Sequence, residues 1–385
     1  MEARKPISLL KSADSHAETW PDEPDRFKEM HVDPFLMWCV KQGSSDISIQ
    51  SDRPVYNEIS GHLYPGTFRN LDAEDMATFL TRIYGPEALA RLASGMDLDV
   101  SYEIRPDRYS RMRFRVNITA ILSKGRDGAQ ITMRTLPSDP PTMDDLKIEQ
   151  EIRDFWAPRQ GMVVITGATG SGKSTLLAAG NRLLLERPEG CGKMLTYEAP
   201  IEYTYDGVQS PRSLVSQTEI PRHLPDFAAG VRNALRRKPE IILVGEARDR
   251  ETISSAIEAA QTGHAVYTTT HTMGVANTVQ RMLSTYDMSE REERAIALME
   301  TLRLIVTQAL APRIGGGRCG VREWMRFPDD VREKLMDMEF TEWPNEIQRM
   351  VPSYGQTMAR SAEIFYENGE IDRRHYLLLS SSTGS

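Results

Sequence analysis

Eight residues near the middle of the chain, Gly167-Ala-Thr-Gly-Ser-Gly-Lys-Ser174, restrict its fold more than any other feature. They fit the pattern G-x-x-x-x-G-K-[ST], with the aliphatic run Met162–Thr166 directly before them and the amphipathic segment Lys173–Arg187 directly after. A buried strand that enters a helix through such a turn belongs in an α/β fold. The glycines let successive backbone N–H groups curl around phosphate, and the helix N-terminus adds the positive end of its dipole. Lys173 is placed to reach β- and γ-phosphates, and the Ser174 hydroxyl to hold Mg²⁺. ATP and Mg²⁺ are therefore the expected ligands, with contacts at Gly167, Ala168, Thr169, Gly170, Ser171, Gly172, Lys173, Ser174 and Thr175. A glycine-rich turn that binds nothing would not need strand, loop, Lys-Ser pair and helix together.

The same pattern continues downstream. Met194–Tyr197, Ile241–Gly245 and Ala265–Thr270 read as further buried parallel strands. Glu246 follows the second of these, at the carboxyl end where open α/β sheets bind ligands. A carboxylate there can order and polarise an attacking water, although capping the next helix or pairing with Arg248 would also account for it. Tyr197–Tyr203 offers two carboxylates, Glu198 and Glu202, four residues apart. His264 and His271 bracket the strand Ala265–Thr270. A buried histidine is commonly a hydrogen-bonded core residue, and here a γ-phosphate-sensing or relay role is the functional alternative.

At 385 residues the chain has room for two domains. Residues 1–33 read as a mobile leader and 34–136 as a small α+β domain. In that domain Pro34–Gln42 and Leu71–Tyr84 are helical in period, while Asp46–Gln50, Arg111–Leu122 and Gln130–Leu136 alternate as strands. Pro137-Ser-Asp-Pro-Pro141 opens a linker over 137–147, because three prolines in five positions suit neither helix nor central strand. The α/β domain spans 148–313. Beyond Arg313 and a Gly315–Gly317 hinge, residues 314–385 read as a helical part ending in a Ser/Thr/Gly tail.

A net charge of −8 argues against stable nucleic-acid binding. No apolar run approaches the roughly 18 residues of a membrane span, and the polar first residues lack a signal-peptide core. Cys39, Cys191 and Cys319 form no Cys-x-x-Cys pair, which points to buried reduced thiols. The expectation is a cytoplasmic protein that meets a membrane only through partners.

The segments GATGSGKST, YEAPIEY and LVGEARDRETISSAIEAAQTGHAVYTTTHT together closely resemble the secretion ATPase superfamily, which includes the PilT and GspE motors. All four signatures of that superfamily, Walker A, Asp box, Walker B and His box, occur in order over roughly residues 160–313. Weaker similarity in SDISIQSDRP, RFRVN and MRTLP extends it upstream, and within the superfamily the likeness runs toward the DotB proteins of type IVB secretion and the TraJ proteins of conjugative plasmids. The resemblance implies a PAS-like N-terminal domain, a RecA-like ATPase domain and a homo-hexameric ring. It further implies work on inner-membrane secretion or pilus components, without insertion into the membrane. Position by position it makes Glu246 the Walker B glutamate, Glu198 the leading acid of the Asp box, and His264 and His271 the His box. Arg113, Arg115 and Arg134 lie where the family supplies arginines to the nucleotide. Two departures stand out. The usual Glu-Asp-Pro reads Glu198-Ala199-Pro200, so metal or water positioning would rely on Glu198 and Glu202. The helix before Walker B carries Arg232, Arg236, Arg237 and Lys238, where many relatives are acidic near its end. The tetracysteine zinc loop of the extension motors is absent, which favours the PilT and DotB side. A nucleic-acid translocase and a nucleotide-responsive recruitment subunit with little turnover are the competing functions.

Overall fold

A computed structural model of the chain describes residues 19–107, 110–137 and 139–381. The chain divides into two units, Met1–Ser138 and Asp139–Ser385.

The N-terminal unit runs α1 (Glu29–Lys41), β1 (Asp46–Gln50), β2 (Tyr56–Ile59), β3 (His62–Pro65), α2 (Ala73–Ile83), α3 (Ala88–Ala93), β4 (Leu98–Ile104), β5 (Met112–Ser123) and β6 (Arg126–Leu136). Its antiparallel sheet has the order β3-β2-β1-β6-β5-β4, the PAS-like arrangement in which the first strand pairs with the last. Alternation decides the buried face, which carries Ile47 and Ile49, Phe114, Val116 and Ile118, and Ile131 and Met133. Helix α2 starts where Asp72 accepts the N–H groups of Glu74 and Asp75, each at 2.9 Å. Asp75 answers at the Asp72 N–H, 3.1 Å away, completing a capping box.

This unit begins earlier than the sequence suggests. Residues 1–18 lie outside the described residues, but 19–33 are not a loose leader. Trp20 and Phe27 are buried, with Phe27 packing 4.8 Å from Phe79 and 5.5 Å from Phe35, ring centre to ring centre. The Phe27 N–H also donates to the buried Asp75 carboxylate at 2.8 Å. Pro34 sits inside α1 instead of opening it.

In the C-terminal unit, α4 (Gln150–Phe155) precedes β7 (Gly161–Thr166), α5 (Lys173–Leu185), β8 (Gly192–Glu198), β9 (Ser213–Glu219) and α6 (Phe227–Ala234). Then come β10 (Ile241–Val244), α7 (Arg250–Gln261), β11 (Ala265–Thr270), α8 (Val275–Ser284), α9 (Arg291–Thr301), β12 (Leu302–Pro312) and β13 (Arg318–Arg326). The last elements are α10 (Asp329–Met336), α11 (Trp343–Tyr354), β14 (Gly355–Gln356), α12 (Met358–Glu367) and α13 (Arg373–Ser381). The sheet order is β14-β13-β12-β7-β11-β10-β8-β9, parallel from β12 to β9. Both faces are covered, and successive residues of β7 alternate between them. Met162 and Val164 join the core beneath α7 and α8, while Val163 and Ile165 join the core beneath α5. This is the RecA-like half of the fold.

Two boundaries move. The Gly315–Gly317 stretch is no hinge into a helical tail: it turns the β12–β13 hairpin, closed by the Arg313 N–H on the Gly317 carbonyl at 3.0 Å. All three glycines there have positive φ, so turn geometry accounts for them. From Pro140 onward the linker is packed into the C-terminal unit. Met143 and Ile148 are buried with Trp156, and Arg182 donates to the Pro140 carbonyl at 2.7 Å.

The α5 face is fitted tightly to Trp156. A Cβ added at Gly180 would lie 2.0 Å from the Trp156 ring. Gly180→Ala should therefore lower stability by about 1–3 kcal/mol, although it gains about 1 kcal/mol of helix propensity. A reduced urea midpoint is the expected result, and a raised one would contradict this packing.

Candidate active site

The carboxyl ends of β7, β10 and β11 deliver three segments to one edge of the sheet. The P-loop follows β7 and is shaped by Gly167, Gly170 and Gly172, with φ of 144°, 77° and 82°. At Gly167 a side chain is also excluded by space, since its Cβ would stand 2.3 Å from the Gln308 carbonyl oxygen. Gly172 begins α5 without a side-chain cap, so the first-turn N–H groups point out of the helix. Nearby, the buried Ser171 Oγ has no hydrogen-bond partner. An uncapped helix start, an orphaned hydroxyl and a lysine together suit a phosphate.

Lys173 Nζ donates to the carbonyls of its own loop, Gly167 at 2.8 Å and Ala168 at 3.0 Å. It also stands 3.5 Å from His271 Nδ1. Burial pulls the Lys173 pKa down, against the opposing fields of Glu246 and Glu202.

Glu246 is aimed by its backbone neighbours. The Gly245 N–H donates to the Tyr197 carbonyl at 2.7 Å, and the Ala247 N–H donates to the Thr269 carbonyl at 2.9 Å. The Thr269 hydroxyl closes on the Gly245 carbonyl at 2.6 Å. The Glu246 carboxylate then lies 3.4 Å from His271 Nε2 and 3.8 Å from Arg248 Nη1. His271 thus stands between Lys173 and Glu246. An ammonium can only donate and a carboxylate only accept, so the neutral imidazole that serves both carries its proton on Nε2.

The Asp-box loop meets the P-loop helix through Tyr203, whose hydroxyl is 3.0 Å from Thr175 Oγ1. Thr175 therefore faces the protein. Glu198 accepts from Thr196 Oγ1 at 2.6 Å and from Gln217 Nε2 at 3.1 Å, whereas Glu202 contributes to the field at Lys173. Ser174 is half-buried in the first turn of α5. Among the described residues no group of three or more His, Cys, Asp or Glu side chains could hold a metal alone. The donors that fit Mg²⁺ are thus a hydroxyl and one or two carboxylates, completed by substrate oxygens.

The structure does not bring His264 to this group. It precedes β11, at the amino edge, where Nδ1 lies 2.9 Å from the Ala259 carbonyl at the end of α7. Six strand residues, about 20 Å at 3.3 Å each, separate it from His271. There it makes a local tether to α7. The three arginines belong to the N-terminal unit. Arg113 is buried on β5, 3.5 Å from Glu103. Arg115 is exposed on the same strand, in register with Arg134, which pairs with Asp46 at 2.9 Å.

Sequence reading missed several supports. Thr166 accepts the Thr272 N–H at 3.1 Å and the Thr270 hydroxyl at 3.0 Å, and Thr272 Oγ1 continues to Thr278 at 2.8 Å. The threonine run 268–270 was the available signal. Glu323, buried on β13 with its pKa pushed up by burial, accepts the Val275 N–H at 2.8 Å and fixes the start of α8 behind the His271 loop. Nothing local in the sequence marks it.

Residues 86–349 match the model of the type II/IV secretion system protein family. The type IV pilus retraction ATPase PilT of Pseudomonas aeruginosa is 32% identical over 83% of this chain and 89% of its own length. A twitching motility protein of Neisseria gonorrhoeae is 34% identical over 86% of this chain and 85% of its own. Among solved structures, the ATPase DotB of Legionella pneumophila is 45% identical, covering 94% of this chain and 98% of that one with a TM-score of 0.89. The pilus retraction motor PilT with bound ADP is 27% identical, with 92% and 97% coverage and a TM-score of 0.78.

A phosphate ligand held by Lys173 should lose affinity as pH rises, because the ammonium is lost. Burial moves that loss below the ordinary lysine value of about 10.4. Titrating nucleotide affinity from about pH 7 to about pH 10.5 checks this, and a flat profile would remove Lys173 as the phosphate's cation.

Proposed function

This chain belongs to the type II/IV secretion system protein family and is an ATP-hydrolysing motor of the type IV secretion and pilus kind; from that premise we propose that it works as a homo-hexameric ring in a type IVB-like secretion or conjugation system. The likeness to DotB across both units supports the choice of system. The observation that carries the chemistry is the placement of His271 between Lys173 and Glu246.

In the proposed mechanism the γ-phosphate takes over Lys173 from the Gly167 and Ala168 carbonyls. Backbone N–H groups of the P-loop and the first turn of α5 receive the phosphate oxygens. Glu246 accepts a proton from the water that attacks the γ-phosphorus. His271 passes the change in charge at Lys173 to Glu246, so that base and phosphate cation respond together. Ser174 would hold Mg²⁺ directly, with Glu202 and Glu198 supporting the metal or its water. Bound there, Mg²⁺ would supply neutralisation of the phosphate charge. Arg113, Arg115 and Arg134 are the arginines proposed to contact a nucleotide, Arg113 being buried 3.5 Å from Glu103. The partners proposed are inner-membrane secretion components, met at the cytoplasmic face. Among the described residues no helix is long and apolar enough to cross a membrane.

Lys173→Ala should abolish nucleotide binding. Glu246→Gln should keep binding and lose turnover by about 10²–10⁴-fold. Light scattering should give a mass of six chains with nucleotide. Wild-type turnover in the Glu246 variant would remove it as the base, and a single-chain mass under every nucleotide condition would sink the ring.

A further inference from the structure

Behind the P-loop lies a chain of buried hydrogen bonds with no part in phosphate chemistry as described so far. Gln308 and Arg322 face each other across the β12–β13 hairpin and are only 4% and 2% exposed. Arg322 Nε donates to Gln308 Oε1 at 2.8 Å, and Gln308 Nε2 donates to the Ser171 carbonyl at 2.7 Å. The amide orientation is forced: a guanidinium has only donors, so the amide oxygen must face it and the nitrogen must face the P-loop. Gly320 leaves room for this arrangement, since a Cβ there would lie 2.6 Å from Arg322 Nη2. Arg322 uses three further donors. Nη1 reaches Glu149 at 3.0 Å, Nη2 reaches the Leu146 carbonyl at 3.2 Å, and the backbone N–H reaches Ser361 Oγ in α12 at 3.0 Å.

The peptide between Ser171 and Gly172 is what Gln308 holds. In a trans peptide the carbonyl and the following N–H point opposite ways, so fixing the Ser171 oxygen also fixes the Gly172 N–H. Gly172 has φ of 82°, and a glycine-flanked peptide flips easily unless something restrains it. Resting on the assignment of the P-loop as the phosphate cradle, the geometry points to Gln308 as a positioning residue for ATP turnover, oriented by Arg322. It keeps an N–H, not a carbonyl, turned toward the phosphate side. Through Glu149 and Leu146 the same guanidinium ties this peptide to the connector that enters the C-terminal unit, so nucleotide binding also steadies residues 142–149.

Gln308→Glu keeps the shape and the Arg322 contact but replaces the donor with an acceptor that repels the Ser171 carbonyl. We expect it to melt close to wild type, to raise KM for ATP by about tenfold or more with a smaller change in kcat, and to lose any nucleotide-dependent slowing of amide exchange in 142–149. Should that variant misfold, Arg322→Lys provides the second test, since one ammonium cannot serve Gln308, Glu149 and Leu146 together; the same KM rise is expected. A folded Gln308→Glu protein with wild-type KM and wild-type exchange would overturn the role of Gln308, while loss of binding in Lys173→Ala would leave the P-loop assignment standing. Wild-type binding in Lys173→Ala would overturn both.

Discussion

Burial of β7 between β11 and β12 is the constraint from which the rest of the C-terminal unit follows. A parallel strand with neighbours on both edges and helices on both faces has no solvated side, and all six residues of β7 are buried. Its backbone direction is therefore fixed, and with it the point at which the P-loop leaves the sheet. The register with β11 pairs Thr166 with Thr270, which is why the threonine hydroxyls there meet and why the His271 loop starts beside the P-loop. The register with β12 brings Thr307 opposite Thr166, so Gln308 comes next to Gly167. His271 and Glu246 are thus placed by strand pairing, whereas Glu202 comes from the loop between β8 and β9.

The charges at this edge are close to balanced, with Lys173 and Arg248 against Glu246 and Glu202. One ammonium lies in the field of two carboxylates, with an imidazole between it and Glu246. Addition of phosphate charge changes that balance at every member, because partly buried charges are weakly screened. With Glu246 as the proposed base, its coupling to the cation needs no large movement, only a change in how one ring shares its proton and its lone pair.

Much of this was legible in the sequence. Strands β1 and β11 match the alternating segment Asp46–Gln50 and the buried run Ala265–Thr270 residue for residue. The P-loop and Glu246 could be placed because strand, loop and helix signals are local. The losses were of three kinds. Phe27 belongs to the N-terminal core because of Asp75, 48 residues later, and no window along the chain contains both. Proline marks where helix and strand stop but not whether the backbone packs, so the burial of Met143 and Ile148 stayed invisible. The glycines at 315–317 were read as a hinge because β13 was not recognised as a strand. His264 is different: the sequence puts it at the opposite end of the strand from His271, and it stands there, at the amino edge, away from the ligand-binding edge.

Lys173 is bonded to the carbonyls of Gly167 and Ala168, and any phosphate has to displace them. Capture is consequently an exchange of partners, and its net free energy is a difference between two sets of charge-assisted bonds rather than a sum. The well in which a nucleotide sits is shallower than its contacts suggest, for spent product as much as for fuel. A protein that must clear this site on every cycle gains from that shallowness: the loop that grips the phosphate is also its competitor, and so helps to expel it.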